Sequence, residues 1–257
     1  MKKSKIVIVI AAIILYAPLA YLMFYSFNSA NSMSHFESFT LEHYANLFSG
    51  TGLLQIVANS IVVGILSALL AVVFGTLGAI AIYQLKNPKK NYQLKQLNNI
   101  MILAPDVVIG VAFLSLFTMF GIKLGLVSVV LTHAVFCTPI VVITLLPRLE
   151  QIEVSQIKAA LDLGAKAKDI IKIILLPNIE DAIILSFFTS IFYSFDDFGV
   201  TFFVTGNGFV TLPIEIYSQA RRGINLELNA LSTIMIIIIF MAVIGYQLYL
   251  KRGGRNA

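Results

Sequence analysis

"KAALDLGAKAKDIIKIILLP", residues 158–177, carries six charged side chains in twenty positions, in a chain of 257 residues that is only 12% charged overall. The stretch has a helical period. Ile157, Ala160, Leu161 and Gly164 stand at i, i+3, i+4 and i+7, and Ala167, Ile170, Ile171 and Ile174 repeat that spacing. Two short amphipathic helices are expected. Gly164 supplies the positive φ that redirects the chain between them, and Pro177 ends the second. Lys158 with Asp162, and Asp169 with Lys172, place solvated charge on the opposite face. Such a segment is either a linker lying on a membrane surface or a docking element for a partner, and the small Ala159 and Ala160 permit close approach.

On both sides of this stretch the chain is apolar. It is 58% hydrophobic, its mean hydropathy is +0.90, and its charge content is far below the roughly 25% of soluble domains. A bilayer core of about 30 Å needs about 20 apolar helical residues. Six runs of that kind are predicted, at 6–27, 56–83, 98–120, 124–146, 182–204 and 228–250, with a cytoplasmic loop at 147–181. The connectors leave no room for a soluble domain, and no stretch alternates like a barrel strand, so 1–257 reads as a single all-α transmembrane domain. The first run follows Lys2, Lys3 and Lys5 but is longer than the apolar core of a cleavable signal, and reads as a retained anchor.

With the N-terminus inside, Lys2, Lys3, Lys5, Lys86, Lys89, Lys90, Lys95, Arg148, Lys158, Lys166, Lys168, Lys172, Lys251, Arg252 and Arg255 are cytoplasmic. Only Lys123, Arg221 and Arg222 fall outside. Both termini and the 147–181 loop therefore face the cytoplasm of a multi-pass cell-membrane protein. The net charge of +5 is a basic face on anionic lipid, not a nucleic-acid footprint.

"AALDLGAKAKDIIKIILLP" resembles the Glu-Ala-Ala signature of ATP-binding-cassette (ABC) importer permeases, whose coupling helix sits in a cleft of an ATPase subunit. Ala159 and Ala160 match the two alanines, Gly164 the glycine and Pro177 the closing proline, while Lys158 stands at the glutamate position. "LAPDVVIGVAF", "THAVFCTP", "SFDDFGVTFFVTGNGFVTLPIEIYS" and "NLELNALSTIM" extend the likeness along nearly the whole chain, toward permeases of spermidine/putrescine importers. The resemblance implies the type I importer (MetI-like) permease fold, and coupling to the ATPase through Ala159, Ala160, Asp162, Leu163, Gly164 and Ala165. It further implies a second, homologous permease, two ATPase subunits and an extracytoplasmic polyamine-binding protein as partners. The same machine for another solute, and a channel or intramembrane enzyme without an ATPase, stay open as alternatives.

No Gly-Lys pair exists anywhere in the chain, so it has no Walker A loop; ATP and Mg are expected to be used by the partner, with no cofactor on this chain. His133 and Cys137 share a helical face but lack further metal ligands, and read as an interhelical hydrogen-bonding group and a small buried hydrophobe. Pro18, Pro105 and Pro139 are expected to kink spans.

The acids inside the runs, Asp106, Asp196 and Asp197, each cost about 2.5 to 3.5 kcal/mol near mid-membrane on insertion scales, so they face protein or water. They are either paired with donors such as Ser194 and Thr201, or they line the path of a cation, with the rings of Tyr193 and Phe195 beside them. Helical neighbours point about 100° apart, so Asp196 and Asp197 are not both expected to face one pore. Asp106 is expected toward the cytoplasmic half and the pair toward the outer half, as successive waypoints.

Overall fold

The computed structural model describes residues 2–30, 32–50, 52–223 and 225–253; Arg255, counted above among the cytoplasmic basic residues, lies outside the described residues. The helices run in chain order as α1 (Lys2–Tyr25), α2 (Glu42–Phe48), α3 (Leu53–Gln84), α4 (Pro88–Leu103), α5 (Asp106–Met119), α6 (Leu126–Glu150), α7 (Val154–Asp162) and α8 (Ala167–Ile170). A π-helical turn (Ile171–Leu175) follows, then α9 (Leu176–Asn178), α10 (Glu180–Phe195), α11 (Thr201–Val204), α12 (Leu212–Arg222) and α13 (Leu226–Gly253). Among the described residues the one β-type pairing is an isolated bridge between Asn28 and Phe39.

Among the described residues four helical segments are each long and apolar enough to cross a membrane: Lys5–Tyr25, Leu53–Gln84, Leu126–Glu150 and Leu226–Gly245. The other two runs expected from hydropathy are interrupted. The 98–120 run is the end of α4 and all of α5, which meet at 98°. Pro105 is the cause: it forces Ala104 out of the helical region, to φ −68 and ψ 137, and cannot continue α4. The 182–204 run is α10 and α11, separated at 196–200. Pro18 and Pro139, by contrast, lie inside continuous helices.

Two compact units make up the chain. The first comprises residues up to Gln55 and from Ile216 onward. In it α13 packs on α1 and α2, and the segment after α1 is knotted around Asn28. That buried amide donates to the carbonyls of Ser32 (3.1 Å) and His35 (2.8 Å) and accepts from the N–H groups of Ala30 (3.3 Å) and Glu37 (2.9 Å). The lipid-length face of α1 exposes Ile8, Ile14 and Leu15, an apolar surface that only lipid or another apolar partner would cover.

The second unit is Ile56–Glu215, built around α6. Val141, Leu145 and Leu149 of α6 are fully buried against Ala71 and Ala79 of α3, Ile109 of α5 and the segment Leu175, Ile179, Ala182. Asn87 caps α4 by accepting the Lys89 and Lys90 N–H groups at 3.0 and 3.2 Å, with Pro88 at the first helical position. Lys95 of α4 pairs with Glu150 of α6 at 2.6 Å.

The opening stretch folds as its period indicates up to residue 170. Gly164 holds φ +82. The Gly164 N–H donates to Leu161 (2.9 Å) and the Ala165 N–H to Ala160 (3.0 Å), the paired bonds of a Schellman cap. Ile157, Ile170, Ile171 and Ile174 pack toward the core. Pro177 does not end the second helix as expected. The π turn inserts one residue ahead of it, with the Leu176 N–H reaching the Ile171 carbonyl, and Asn178 Nδ2 donates to the Ile174 carbonyl at 2.7 Å. The chain breaks only at Ile179, where φ is −114 and ψ 7.

Candidate functional site in the interrupted spans

The two interruptions meet. A cavity of about 620 Å³ in the second unit is lined by Asp106, Thr189, Phe192, Tyr193, Asp196, Asp197, Phe198 and Gly199. Asp106 is there because Pro105 starts α5 immediately before it, so its carboxylate sits at the mouth of the break and not partway along a straight helix. Asp196 and Asp197 follow directly on the last residue of α10, where the helix has stopped. Both line the cavity; the 100° separation expected of an unbroken helix does not apply. The waypoints expected in different halves of the membrane are likewise replaced by one cluster of three acids.

Gly199 explains how closely the breaks approach. A Cβ placed on it would stand 2.6 Å from Asp106 Cβ and 3.3 Å from Asp106 Oδ2, so only glycine fits at this contact.

The three carboxylates differ in their partners. Asp197, 8% exposed at its side chain, accepts from the Thr201 N–H (2.8 Å), the Thr201 hydroxyl (2.7 Å) and the Val200 N–H (3.3 Å), and lies 3.4 Å from His133 Nε2. Thr201 is thus the donor expected for one of the acids, whereas Ser194 turns instead to His133 Nδ1 at 2.6 Å. The carboxylates of Asp106 and Asp196 have no hydrogen bond or ion pair among the described residues and are exposed to the cavity. Tyr193 lines the cavity, and its ring meets Phe136 edge-on at 5.5 Å. Phe195 is not among the lining residues; Phe192 and Phe198 take that place. Those two rings, Thr189 and Gly199 were not singled out from the sequence, although a glycine two residues after an Asp pair is a signal for a break.

His133 is buried and bonded between helices, with Nε2 also 2.8 Å from Thr201 Oγ1, and Cys137 is a buried free thiol. The residues that the sequence resemblance assigns to ATPase coupling lie elsewhere in the second unit. Lys158, Ala159, Asp162, Leu163 and Gly164 are exposed, Ala160 and Ala165 partly so, and Leu163 is 89% exposed, an apolar side chain with nothing of its own chain to cover it.

Residues 61–253 match the family described as "Binding-protein-dependent transport system inner membrane component". The chain is 36% identical over 234 residues to the spermidine/putrescine transport system permease protein PotC of Escherichia coli (strain K12), covering 91% of this chain and 88% of that one. It is 34% identical to PotC of Haemophilus influenzae, with 93% and 92% covered. It is 29% identical to the putrescine transport system permease protein PotI of E. coli K12, with 90% and 84% covered. Among solved structures it resembles a chain of a bacterial ABC transporter involved in the import of the acidic polysaccharide alginate, at TM-score 0.71 and 14% identity over 96% of this chain and 94% of that one. It also resembles a chain of the MetNI methionine ABC transporter, at TM-score 0.59 and 19% identity over 76% and 94%. At such identities the structures speak for the fold alone. The chain belongs to the family of inner-membrane components of binding-protein-dependent transport systems and is a multi-pass permease subunit with the fold of the ABC importer permeases.

Proposed function

We propose that this chain is the membrane subunit through which a polyamine, spermidine or putrescine, enters the cell. The observation that carries the reading is that Asp106 and Asp196 stand at one cavity with Tyr193, Phe192 and Phe198, in a chain whose relatives are polyamine permeases by name. A polyamine is a string of ammonium groups on methylene stems. Carboxylates attract the charges, aromatic faces accept them by cation–π contact, and the same faces cover the stems. Passage requires that each contact be weak enough to release the ion. The carboxylates of Asp106 and Asp196 pair with no cation among the described residues, so an entering ammonium group has none of these to displace.

The rest of the machine is what membership in a family of binding-protein-dependent transport systems supports. ATP and Mg are used by two partner ATPase subunits, which dock on the exposed face of α7 and the turn at Leu163 and Gly164 from the cytoplasm. A second permease completes the pathway, a binding protein delivers the solute from outside, and both termini lie in the cytoplasm, in keeping with the basic residues at the chain's two ends.

The test is uptake of labelled spermidine by the complex reconstituted with its partners. Asp106→Asn and Asp196→Asn keep side-chain size and delete charge. Each is expected to lower uptake about tenfold, the scale of one charge-assisted contact, while ATPase association stays at the wild-type level. Wild-type uptake in both variants would remove the acids from the path.

A further inference from the structure

The gap between α10 and α11, residues 196–200, is held by a buried group of side chains that reaches it from α6. His133, 1% exposed, touches both sides of the gap. Its Nδ1 lies 2.6 Å from Ser194 Oγ, in the last turn of α10, and its Nε2 lies 2.8 Å from Thr201 Oγ1, at the start of α11. One arrangement of protons satisfies every group: the Ser194 hydroxyl donates to Nδ1, Nε2–H donates to the Thr201 hydroxyl oxygen, and that hydroxyl donates to Asp197 Oδ2 at 2.7 Å. Asp197 closes the group by accepting the Thr201 N–H on Oδ2 and the Val200 N–H on Oδ1. Both of its oxygens are engaged by its own chain. Those of Asp106 and Asp196 are engaged by none of the described residues.

We propose that Asp197 and His133 are positioning residues that pin the interruption, so that Asp196 and Gly199 face the cavity, and that Asp197 serves as a hydrogen-bond acceptor and not as a charge for the passing ion. The division of labour rests on the polyamine path proposed above. Its chemistry makes a specific demand: one oxygen at position 197 that accepts from both the N–H and the hydroxyl of Thr201 suffices, and asparagine supplies that oxygen while giving up only the longer bond from the Val200 N–H.

The experiment compares Asp197→Asn with Asp197→Ala, Thr201→Ser with Thr201→Val, and His133→Phe, which keeps a ring and loses both nitrogens, in the reconstituted complex. Two quantities are read: spermidine taken up per ATP hydrolysed, and the rate at which a cationic thiol reagent labels an Asp196→Cys reporter in a Cys137→Ala background, which needs no substrate. Asp197→Asn and Thr201→Ser are expected within about twofold of wild type in both. Asp197→Ala, Thr201→Val and His133→Phe are expected to lose uptake per ATP by about tenfold, the cost of a lost charge-assisted bond, and to alter labelling several-fold. An Asp197→Asn variant as defective as Asp197→Ala overturns the proposal, because the charge is then what matters. Unchanged labelling in Thr201→Val and His133→Phe overturns it too. Should His133→Phe fail to assemble, the asparagine and alanine pair at 197 decides. The expected labelling pattern in a complex whose wild type takes up no spermidine would uphold the pin and refute the polyamine path.

Discussion

Gly164 holds φ +82 at the end of α7, and a Cβ there would meet nothing within 4 Å. Replacing it therefore costs through the backbone and not through a collision inside this chain: an L-residue in the left-handed region is disfavoured by about 1–2 kcal/mol, more when β-branched. The Schellman bonds from Gly164 and Ala165 orient Leu163 outward, so loosening the cap disperses the surface proposed to dock the ATPase. Gly164→Val is expected to keep normal membrane abundance and to lose copurification of the ATPase by several-fold. Gly164→Asn, a residue that tolerates the left-handed conformation, should retain most of it. Wild-type copurification in the valine variant would take Gly164 out of the docking surface. This residue was legible in advance because a glycine between two periodic segments has few other uses. The partnership of Asp197 with His133 was less so: the two are far apart in sequence, and only the fold sets them 3.4 Å apart.

Helices α5 and α10 show what hydropathy sees and what it averages away. α5 lies within one expected run and α10 begins two residues before another, yet α5 has 14 residues and α10 has 16, rising about 21 and 24 Å, short of a 30 Å core. The signal for the first break was present in Pro105, whose ring denies Ala104 the helical region, but proline also sits inside the continuous α1 and α6. The proline alone did not separate a kink from a break. For the second break, a window of twenty residues absorbs two acids and a glycine without losing its apolar mean. The acids therefore read as neighbours on a helix when they are the ends of two broken ones. Gly199 joins those breaks, and Gly199→Ala tests the junction. With its Cβ 2.6 Å from Asp106 Cβ, two atoms fixed to backbones must part. The expected outcome is spermidine uptake lowered several-fold with ATPase copurification unchanged, since the segment proposed to dock the ATPase is elsewhere in the chain. Full uptake in that variant would mean that the two breaks need not stay in register.

For the whole chain, hydropathy carried the class, a polytopic membrane protein, and the motifs carried the resemblance to permeases, in agreement with the family to which residues 61–253 belong. The solute is the property with the least support from composition, because carboxylates and aromatic rings around a cavity describe any organic cation. Polyamine identity rests on kinship with spermidine and putrescine permeases and on the chemistry of one cavity. The direct measurement is transport of labelled spermidine into liposomes carrying the complete complex with its binding protein. Uptake should require ATP, be competed by excess putrescine, be indifferent to a neutral sugar, and fall when Asp196 is neutralised. A complex that hydrolyses ATP in response to another solute and accumulates no spermidine would contradict it.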